Sequence, residues 1–326
     1  MDKKTVLVTG VGGNVAQGII RNIRASEFPI KVVGTNIAHF SAGNHLCDAF
    51  YKVPYGIEPE YIDAINQIVA SEQVDLIIPS TDSEVYELSL HRERLLCPVV
   101  ASGHETAGFC LDKYKTYGRF HKHNVPFATS FLPSEYQGQF DQIIVKPRKG
   151  GGSRGIALNP TDLSKFEDNE YMVQELLSGQ EITTSFYVNR AGNMHSCITM
   201  ERILEHGTST HCKVVSTYDS EVTKLLEAMM QVGDFMGSIN VQSMVTEDGT
   251  IIPFEINCRI SGTNSIRANF GFKDIEYVLA EWLYDMPAAE TTIRYGIATR
   301  VLMDVIYTEA KDFTEAKDGS SRHYLY

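Results

Sequence analysis

The sequence lacks the cysteine spacings that mark zinc sites and disulfide frameworks. Its six cysteines are scattered through 326 residues, without a C-x-x-C pair. This predicts reduced thiols and a cytoplasmic protein. No apolar run approaches the roughly 18 residues of a membrane span. The first residues, "MDKKTVLVTG", enter a strand pattern at once, so we expect neither a signal peptide nor a membrane anchor.

Positive charge is also scarce, because 29 lysines and arginines face 41 acidic residues and give a net charge of −12. A general nucleic-acid partner is therefore not expected. The ten histidines show no H-E-x-x-H spacing, and no Ser-His-Asp set can be identified. The chain is 43% hydrophobic, which suits a soluble protein of roughly two or three domains. The sequence leaves open whether it forms a homodimer.

The first hundred residues alternate strands and helices. The predicted strands are 5–10, 30–36 and 74–80, and the helices between them are 14–25 and 58–71. Each strand is apolar throughout, which is typical of a parallel sheet covered on both faces. We therefore predict a Rossmann-like domain over residues 1–105.

An acidic residue is missing where a NAD site would need one. The first turn, "VTGVGGNVAQG", loosely matches G-x-G-x-x-G, but the second strand ends at Asn36. A NAD-dependent enzyme would place a carboxylate there to hold the ribose. This leaves a NAD-dependent Rossmann enzyme as the weaker alternative, and the glycines can simply serve a tight turn.

Polar residues follow the third strand in "IPSTDSE". This edge of a parallel sheet commonly binds ligands. We favour the other interpretation, in which Thr81 or Asp82 caps the next helix.

A basic, glycine-rich stretch, "IIVKPRKGGGSRGI", begins at Ile143. It is not a P-loop, because Lys146 precedes the glycines instead of following them. The pattern predicts a hairpin with strands 143–146 and 153–158 around a flexible turn. Glycine lets backbone N–H groups approach an anion closely, so a phosphate site and an ordinary surface turn are both compatible with this stretch.

The pattern changes after residue 105. Residues 106–180 predict a small β-rich lid that contains a helix with Lys113, the glycine hairpin and the strand "EYMVQEL". Residues 181–326 predict an antiparallel α+β body, with long strands in "QEITTSFYVNR", "MHSCITMERIL", "INVQSMVTEDG" and "TIIPFEINCRI".

The last two of these strands carry a set of oxygen donors. Alternate residues of a strand share a face, so Glu255, Asn257 and Arg259 project together. Gln242 lies on the partner strand and can sit opposite them. One carboxylate and two carboxamides suit Mg²⁺, and Arg259 adds a cation for a phosphoryl group in transfer. A polar sheet face exposed to water is the less favoured interpretation.

Together these motifs give the chain a family resemblance. A lysine strand with a glycine hairpin, then "VQELLSGQE", then "NVQ…FEINCR", resembles the ATP-grasp superfamily. The nearest likeness is to the ligase lobes of the carbamoyl-phosphate synthase large subunit and to related carboxylate–amine ligases. The resemblance implies an ATP-grasp fold of mixed α/β and α+β class, with a Rossmann-like domain, a lid and an antiparallel body.

The resemblance also assigns roles. Lys146 and Lys113 would contact phosphates, and Arg259 would stabilise an acyl phosphate. Glu255 would bridge two Mg²⁺ ions, for which Mn²⁺ is an alternative. The remaining implied contacts are a mobile phosphate loop of Gly150, Gly151, Gly152 and Ser153, an adenine hinge of Gln174, Glu175, Leu176 and Leu177, the ribose ligand Glu181, and the metal ligands Gln242 and Asn257.

Arg202 and Lys213 match further cationic positions loosely. Cys258 departs from the family, which often has proline after the asparagine.

The implied activity is an ATP- and Mg²⁺-dependent ligase. It would activate a small-molecule carboxylate as an acyl phosphate for attack by an amine. A non-catalytic ATP-binding module is the alternative. The sequence does not identify the carboxylate, the amine or the role of the C-terminal tail.

Overall fold

A parallel sheet forms the N-terminal part of the chain in the computed structural model, which describes residues 1–152, 154–205 and 207–326. Its strands are β1 (Lys4–Val8), β2 (Ile30–Asn36), β3 (Ala49–Lys52) and β4 (Leu76–Ile78), in the order β3-β2-β1-β4. The helices are α1 (Asn14–Ala25), α2 (Tyr61–Glu72), α3 (Asp82–Leu90) and α4 (His104–Leu111). All the pairings are parallel, so the predicted Rossmann-like sheet is confirmed.

Both faces of this sheet are buried. Val6 and Val8 of β1 belong to one apolar cluster with α1, and Leu7 between them belongs to another with α2. This is the reason for the continuous apolar strands, since a side chain on either face enters a core. The first cluster also contains residues of the C-terminal body, so α1 lies between the two parts of the chain.

A second, antiparallel sheet follows the helix α5 (Lys113–Lys122). Its strands are β5 (Ser130–Phe131), β6 (Ile143–Pro147), β7 (Ala157–Leu158) and β8 (Tyr171–Glu175), in the order β5-β8-β6-β7. The predicted glycine hairpin is the pair β6–β7. Its return strand is shorter than predicted, because Gly155 adopts a φ value of +68° that interrupts extended backbone.

The body is a six-stranded antiparallel sheet in the order β13-β12-β9-β10-β11-β14. Its strands are β9 (Gln180–Val188), β10 (Met194–Glu205), β11 (Thr208–Val215), β12 (Gly237–Val245), β13 (Ile251–Asn257) and β14 (Ile297–Thr299). The helices are α6 (Asp219–Met230), α7 (Asn264–Arg267) and α8 (Asp274–Leu283). Four of these strands were predicted. The strand β11, the helices α7 and α8 and the edge strand β14 were not.

The remaining regular structure is short. A two-stranded pair of β15 (Val305–Ile306) and β16 (Tyr324–Leu325) lies near the end of the chain. Short 3-10 turns occupy Asn44–Leu46, Arg92–Arg94, Pro133–Glu135 and Ala268–Phe270. Within the described ranges, no helix has both the length and the apolarity needed to cross a bilayer.

Candidate functional site

The predicted metal ligands meet on the β12–β13 hairpin. Gln242, which was expected opposite this set, pairs directly with Glu255. The register then shifts, so that Ser243 pairs with Pro253 and Phe254 is left as the extra residue of a bulge. In regular strand geometry adjacent residues face opposite sides, but a bulge can turn two neighbours toward one side. Phe254 and Glu255 accordingly line the same cavity.

These ligands are linked by hydrogen bonds. Asn257 donates from Nδ2 to Glu255 Oε1 at 3.2 Å, and Gln242 donates from Nε2 to Asn257 Oδ1 at 3.3 Å. Gln242 Oε1 in turn accepts from Arg202 Nη2 at 2.6 Å. The two carboxamide oxygens therefore already have protein donors. A metal ion bound by both of them would have to replace those contacts.

The donor chemistry fits a hard divalent cation that also binds phosphate oxygens. Mg²⁺ is usually held by one or two carboxylates together with substrate phosphates and water. Here Glu255 supplies the carboxylate, and Gln242 and Asn257 supply neutral oxygens. Among the described residues, no cluster of three or more His, Cys, Asp or Glu side chains could hold a metal. A site on this hairpin would thus depend on the phosphates for most of its negative charge.

Lys146 is buried at the base of the glycine loop. Only 5% of its surface is exposed. Its Nζ donates to Gln174 Oε1 at 2.7 Å and to the carbonyl oxygen of Phe254 at 3.1 Å. The structure gives it no carboxylate within ion-pair distance among the described residues. Burial lowers its pKa to about 8, although Glu255 acts in the opposite direction. A buried cation with only neutral partners favours a bound anion.

We predict that ATP binding weakens above pH 8. Bound phosphates would raise the pKa of Lys146, so the complex keeps a proton that the free protein loses as the pH rises through about 8. Affinity should be steady near neutral pH and about eightfold lower at pH 9 than at pH 7.5. Calorimetric titration with ATP checks this. Lys146→Arg, which stays charged, should remove the decline; an unchanged wild-type affinity over this range would contradict the assignment.

The base of the glycine loop is anchored by a second set of contacts. Asp112 caps α5 by accepting from the backbone N–H groups of Tyr114 and Lys115. The same carboxylate pairs with Arg148, with Nη2 at 2.6 Å and Nε at 3.1 Å. Lys113, the first residue of α5, donates from Nζ to the carbonyl oxygen of Gly150 at 2.6 Å. The loop is therefore fixed at its start by α5.

The rest of the glycine loop is open. Gly150 has φ +98°, and a Cβ added at Gly150 or Gly151 would meet nothing within 4 Å. At Gly152 the loop approaches the β10–β11 turn, because a Cβ on Gly207 would lie 2.5 Å from the carbonyl oxygen of Gly152. Ser153, predicted to belong to this loop, lies outside the described residues.

The predicted nucleotide residues surround a cavity of about 260 Å³ between the lid and the body. It is lined by Lys113, Lys146, Gly150, Gly151, Gln174, Glu175, Leu176, Leu177, Glu181, Gln242 and Glu255, together with apolar side chains that include Ile144, Leu204, Met244 and Phe254. Gly152 and Asn257 instead line the adjoining cavity.

The predicted adenine hinge follows β8. The backbone N–H of Glu175 donates to the carbonyl oxygen of Thr129, and that of Leu176 to the carbonyl oxygen of Gln142. In the described part of the chain, the backbone N–H of Leu177 has no hydrogen-bond partner. It therefore remains the hinge donor available to a base.

Glu181 and Arg202 form one unit on the body sheet. Arg202 donates to Glu181 Oε1 from Nε at 2.9 Å and from Nη2 at 2.6 Å. Arg202 thus connects the residue predicted for the ribose with Gln242 of the metal set. Lys213 lies apart, since it pairs with Glu201 and its side chain is 59% exposed.

Arg259 contacts the N-terminal domain. Its Nη2 pairs with Asp82 Oδ2 at 2.8 Å, and its buried Nε has no partner. Thr81 caps α3 by accepting from Glu84 N–H, so the predicted cap is confirmed. Asp82 instead forms the contact with Arg259 across the domains.

Cys258 occupies the position after Asn257 where the family often has proline. It faces away from the ligand side of β13 and donates to Ser102 Oγ at 2.9 Å, so its role here is in packing.

The glycines of the first turn serve close packing. Gly10 adopts φ +63°, and a Cβ on Gly12 would lie 2.6 Å from Asn36 Nδ2. Gly18 admits Asn264 of α7, whose Oδ1 would lie 2.3 Å from an added Cβ. This arrangement accounts for the glycines without a dinucleotide.

Sequence reasoning missed several cationic residues. A second cavity of about 860 Å³ adjoins the first, and Arg21, Arg154 and Arg300 line it. Arg154 was seen only as part of a basic stretch. Arg21 lies in a helix and Arg300 after an edge strand, so no short motif connects them with the site.

Comparisons with known proteins agree with this arrangement. A family model described as an ATP-grasp domain matches residues 110–263. A model described as a PylC-like N-terminal domain matches residues 6–100. No curated protein sequence matches the chain.

Solved structures share the fold at low identity. An N5-carboxyaminoimidazole ribonucleotide synthetase in an ADP complex aligns with TM-score 0.74 and 13% identity, over 99% of this chain and 91% of that one. A carboxyaminoimidazole ribonucleotide synthase from Aspergillus clavatus, in complex with ATP, gives 0.72 and 16%, over 90% and 81%. An L-amino acid ligase from Bacillus licheniformis gives 0.67 and 16%, over 86% and 74%. These likenesses show an ATP-grasp fold.

Proposed function

Because an ATP-grasp family model matches residues 110–263 of this chain, we propose that it is an ATP- and Mg²⁺-dependent ligase that joins a carboxylate to an amine through an acyl phosphate. One observation carries the proposal. The nucleotide cavity and the larger second cavity share Gly151, Arg154, Gln242 and Glu255. A phosphoryl group leaving ATP in the first cavity would reach a carboxylate in the second at this junction.

The nucleotide would be held by groups of different kinds. The apolar side chains of the first cavity cover the base, and the free N–H of Leu177 donates to it. Glu181 has its Oε1 engaged by Arg202, which leaves Oε2 for a ribose hydroxyl. Lys146 and Lys113 neutralise phosphate charge, Lys146 from a buried position where a charge-assisted contact is strong.

Glu255, Gln242 and Asn257 would hold the metal. A bound Mg²⁺ would neutralise the phosphate oxygens during transfer. The hydrogen bonds among the three side chains keep their oxygens together before binding. For Gln242 Oε1 to face the metal, Arg202 would have to give up its contact with that oxygen, and it could keep its contact with Glu181.

The protein has no need of a covalent nucleophile. A carboxylate oxygen of the substrate bonds to the γ-phosphorus, and the bond from phosphorus to ADP breaks. The amine then attacks the carbonyl carbon, phosphate leaves, and the amine loses a proton. Arg259 lies at the wall of the second cavity, where it holds charge on the transferred group. The glycine loop, seated against Gly207, limits access of water to the acyl phosphate.

Hydroxylamine should intercept the activated acid. A screen of carboxylic acids with ATP, Mg²⁺ and hydroxylamine should give a hydroxamate with the correct acid, because a small nucleophile can replace the amine. ADP and phosphate should each match the hydroxamate one to one. Colorimetric detection of the hydroxamate and chromatography of the nucleotides measure both.

The controls and the products distinguish this mechanism from its alternatives. Omitting ATP, Mg²⁺ or the acid should abolish the product. AMP and pyrophosphate as products would indicate an adenylate and remove the acyl-phosphate mechanism. ATP binding without product from any acid would instead support a non-catalytic module.

A further inference from the structure

The second cavity extends away from the phosphoryl junction into the space between domains. Its far wall is formed by α1, which carries Arg21, and by the segment after β14, which begins at Arg300. Val301 and Leu302 continue this wall and are 70% and 98% exposed. The lining of the cavity therefore combines the carboxylate of Glu255 with apolar side chains and with the cations Arg21 and Arg300.

Charge in this cavity is strongly one-sided. Among the described residues that line it, five are arginines and Glu255 is the single carboxylate. Two of the arginines are neutralised nearby, because Arg202 pairs with Glu181 and Arg259 with Asp82. The excess is local, since the whole chain has a net charge of −12.

Arg300 is fixed in place without a counter-charge. Its Nε donates to the carbonyl oxygen of Ser209 at 3.1 Å, and its Nη2 to that of Gly262 at 2.8 Å. Its Nη1 has no hydrogen-bond partner in the described ranges. Burial and the nearby charge of Arg21 both lower the pKa of Arg300. An anion bound between the two guanidinium groups would relieve this repulsion.

Arg21 faces this site from the N-terminal domain. It is exposed on α1 and has no ion pair among the described residues. By contrast Arg24, one turn further along α1, pairs with Asp48 at 2.9 Å and lines neither cavity. Arg21 thus differs from its neighbour in lining a cavity without an ion-pair partner of its own among the described residues.

We propose that Arg21 and Arg300 form an arginine subsite for a second anionic group, a carboxylate or a phosphate, on the acid that the enzyme activates. The inference rests on the proposed function. The substrate would span the cavity, with the reacting carboxylate at the Glu255 junction and the second anion on the guanidinium groups, which bind either kind of anion through paired N–H donors. The subsite selects a dianionic acid over a monoanion of equal length.

Two assays test the subsite. Dicarboxylic acids from succinate to adipate, phosphono acids of matching length and the corresponding monocarboxylic acids are compared. The first assay is calorimetric titration of protein saturated with Mg²⁺ and a non-hydrolysable ATP analogue. The second is hydroxamate formation. We expect dianions to bind and react at least about tenfold better than monoanions, and the phosphono series identifies which anion is preferred.

Substitutions of the two arginines test whether they cause the preference for dianionic acids. Arg21→Gln and Arg300→Gln should each lower kcat/KM for a dianionic acid about tenfold to hundredfold, mainly through KM, with ATP affinity and reaction of monoanions unchanged. Arg300→Lys should recover part of the loss. Arg24→Gln, on the same helix, should behave like the wild type. Arg21 is exposed, so its replacement should not affect folding.

The outcomes separate the two proposals. Equal use of monoanions and dianions, or no effect of either variant, overturns the arginine subsite and leaves the ligase assignment standing. Binding of dianions that depends on Arg21, without hydroxamate from any acid, supports the subsite and overturns the ligase assignment. No preference for dianions in either assay also overturns the subsite.

Discussion

Replacing Glu255 by glutamine should lower kcat about a hundredfold to a thousandfold. The substitution keeps the shape of the side chain and the Oε1 acceptor that Asn257 Nδ2 contacts at 3.2 Å. It removes the one negative charge that the β12–β13 hairpin gives to the metal set. Turnover is measured as ADP release with the acid found by the hydroxylamine screen, over a range of Mg²⁺ concentrations.

Two controls accompany the measurement on Glu255→Gln: its folding, and the activity of a matched variant. Circular dichroism and the melting temperature of Glu255→Gln should match the wild type, because the residue is only partly buried. Glu201 lies on β10 of the same sheet, pairs with Lys213 and lines neither cavity, so Glu201→Gln should retain activity. Normal ADP release by Glu255→Gln at all Mg²⁺ concentrations would remove Glu255 from the metal site.

Replacing Lys146 by methionine should weaken ATP binding about tenfold to hundredfold. Methionine fills similar space and eliminates a cation that is 5% exposed and has only neutral partners among the described residues. Since water is largely excluded there, a contact with phosphate is stronger than at the surface. Equilibrium binding of ATP near neutral pH measures the change.

Lys149 provides the matched control for Lys146. It lies three residues further along the same loop, is exposed and lines neither cavity. Lys149→Met should therefore leave the affinity for ATP close to that of the wild type. Equal losses in the two variants would indicate a general electrostatic effect of the loop, and no loss in Lys146→Met would contradict a phosphate role.

Strand periodicity predicted the β12–β13 hairpin well. Gln242 was expected opposite the donor set on the partner strand, and it pairs with Glu255. The prediction succeeded because the side chains of a strand alternate with period two, so one buried face specifies the register. The bulge at Phe254 was not predictable in this way, since the extra residue adds no pattern of its own.

Contacts between distant segments escaped prediction. The sequence does not indicate that Arg202 pairs with Glu181, or that Arg259 pairs with Asp82 of the N-terminal domain. Strands whose pattern is less regular, such as β11 (Thr208–Val215), were also missed. Local pattern carries no information on which side chains from different elements will meet.

The sequence by itself determined the class of fold and the chemical types at the site. The hydrophobic periods of strands and helices are local, and the lysine, glycine, glutamate and asparagine motifs are each read within one hairpin. Only the tertiary structure decided which charges remain without a partner. Arg21 and Arg300 are separated by most of the chain and line one cavity because α1 packs between the parallel sheet and the body. Electrostatic compensation depends on distance in space, which periodicity along a single chain does not encode.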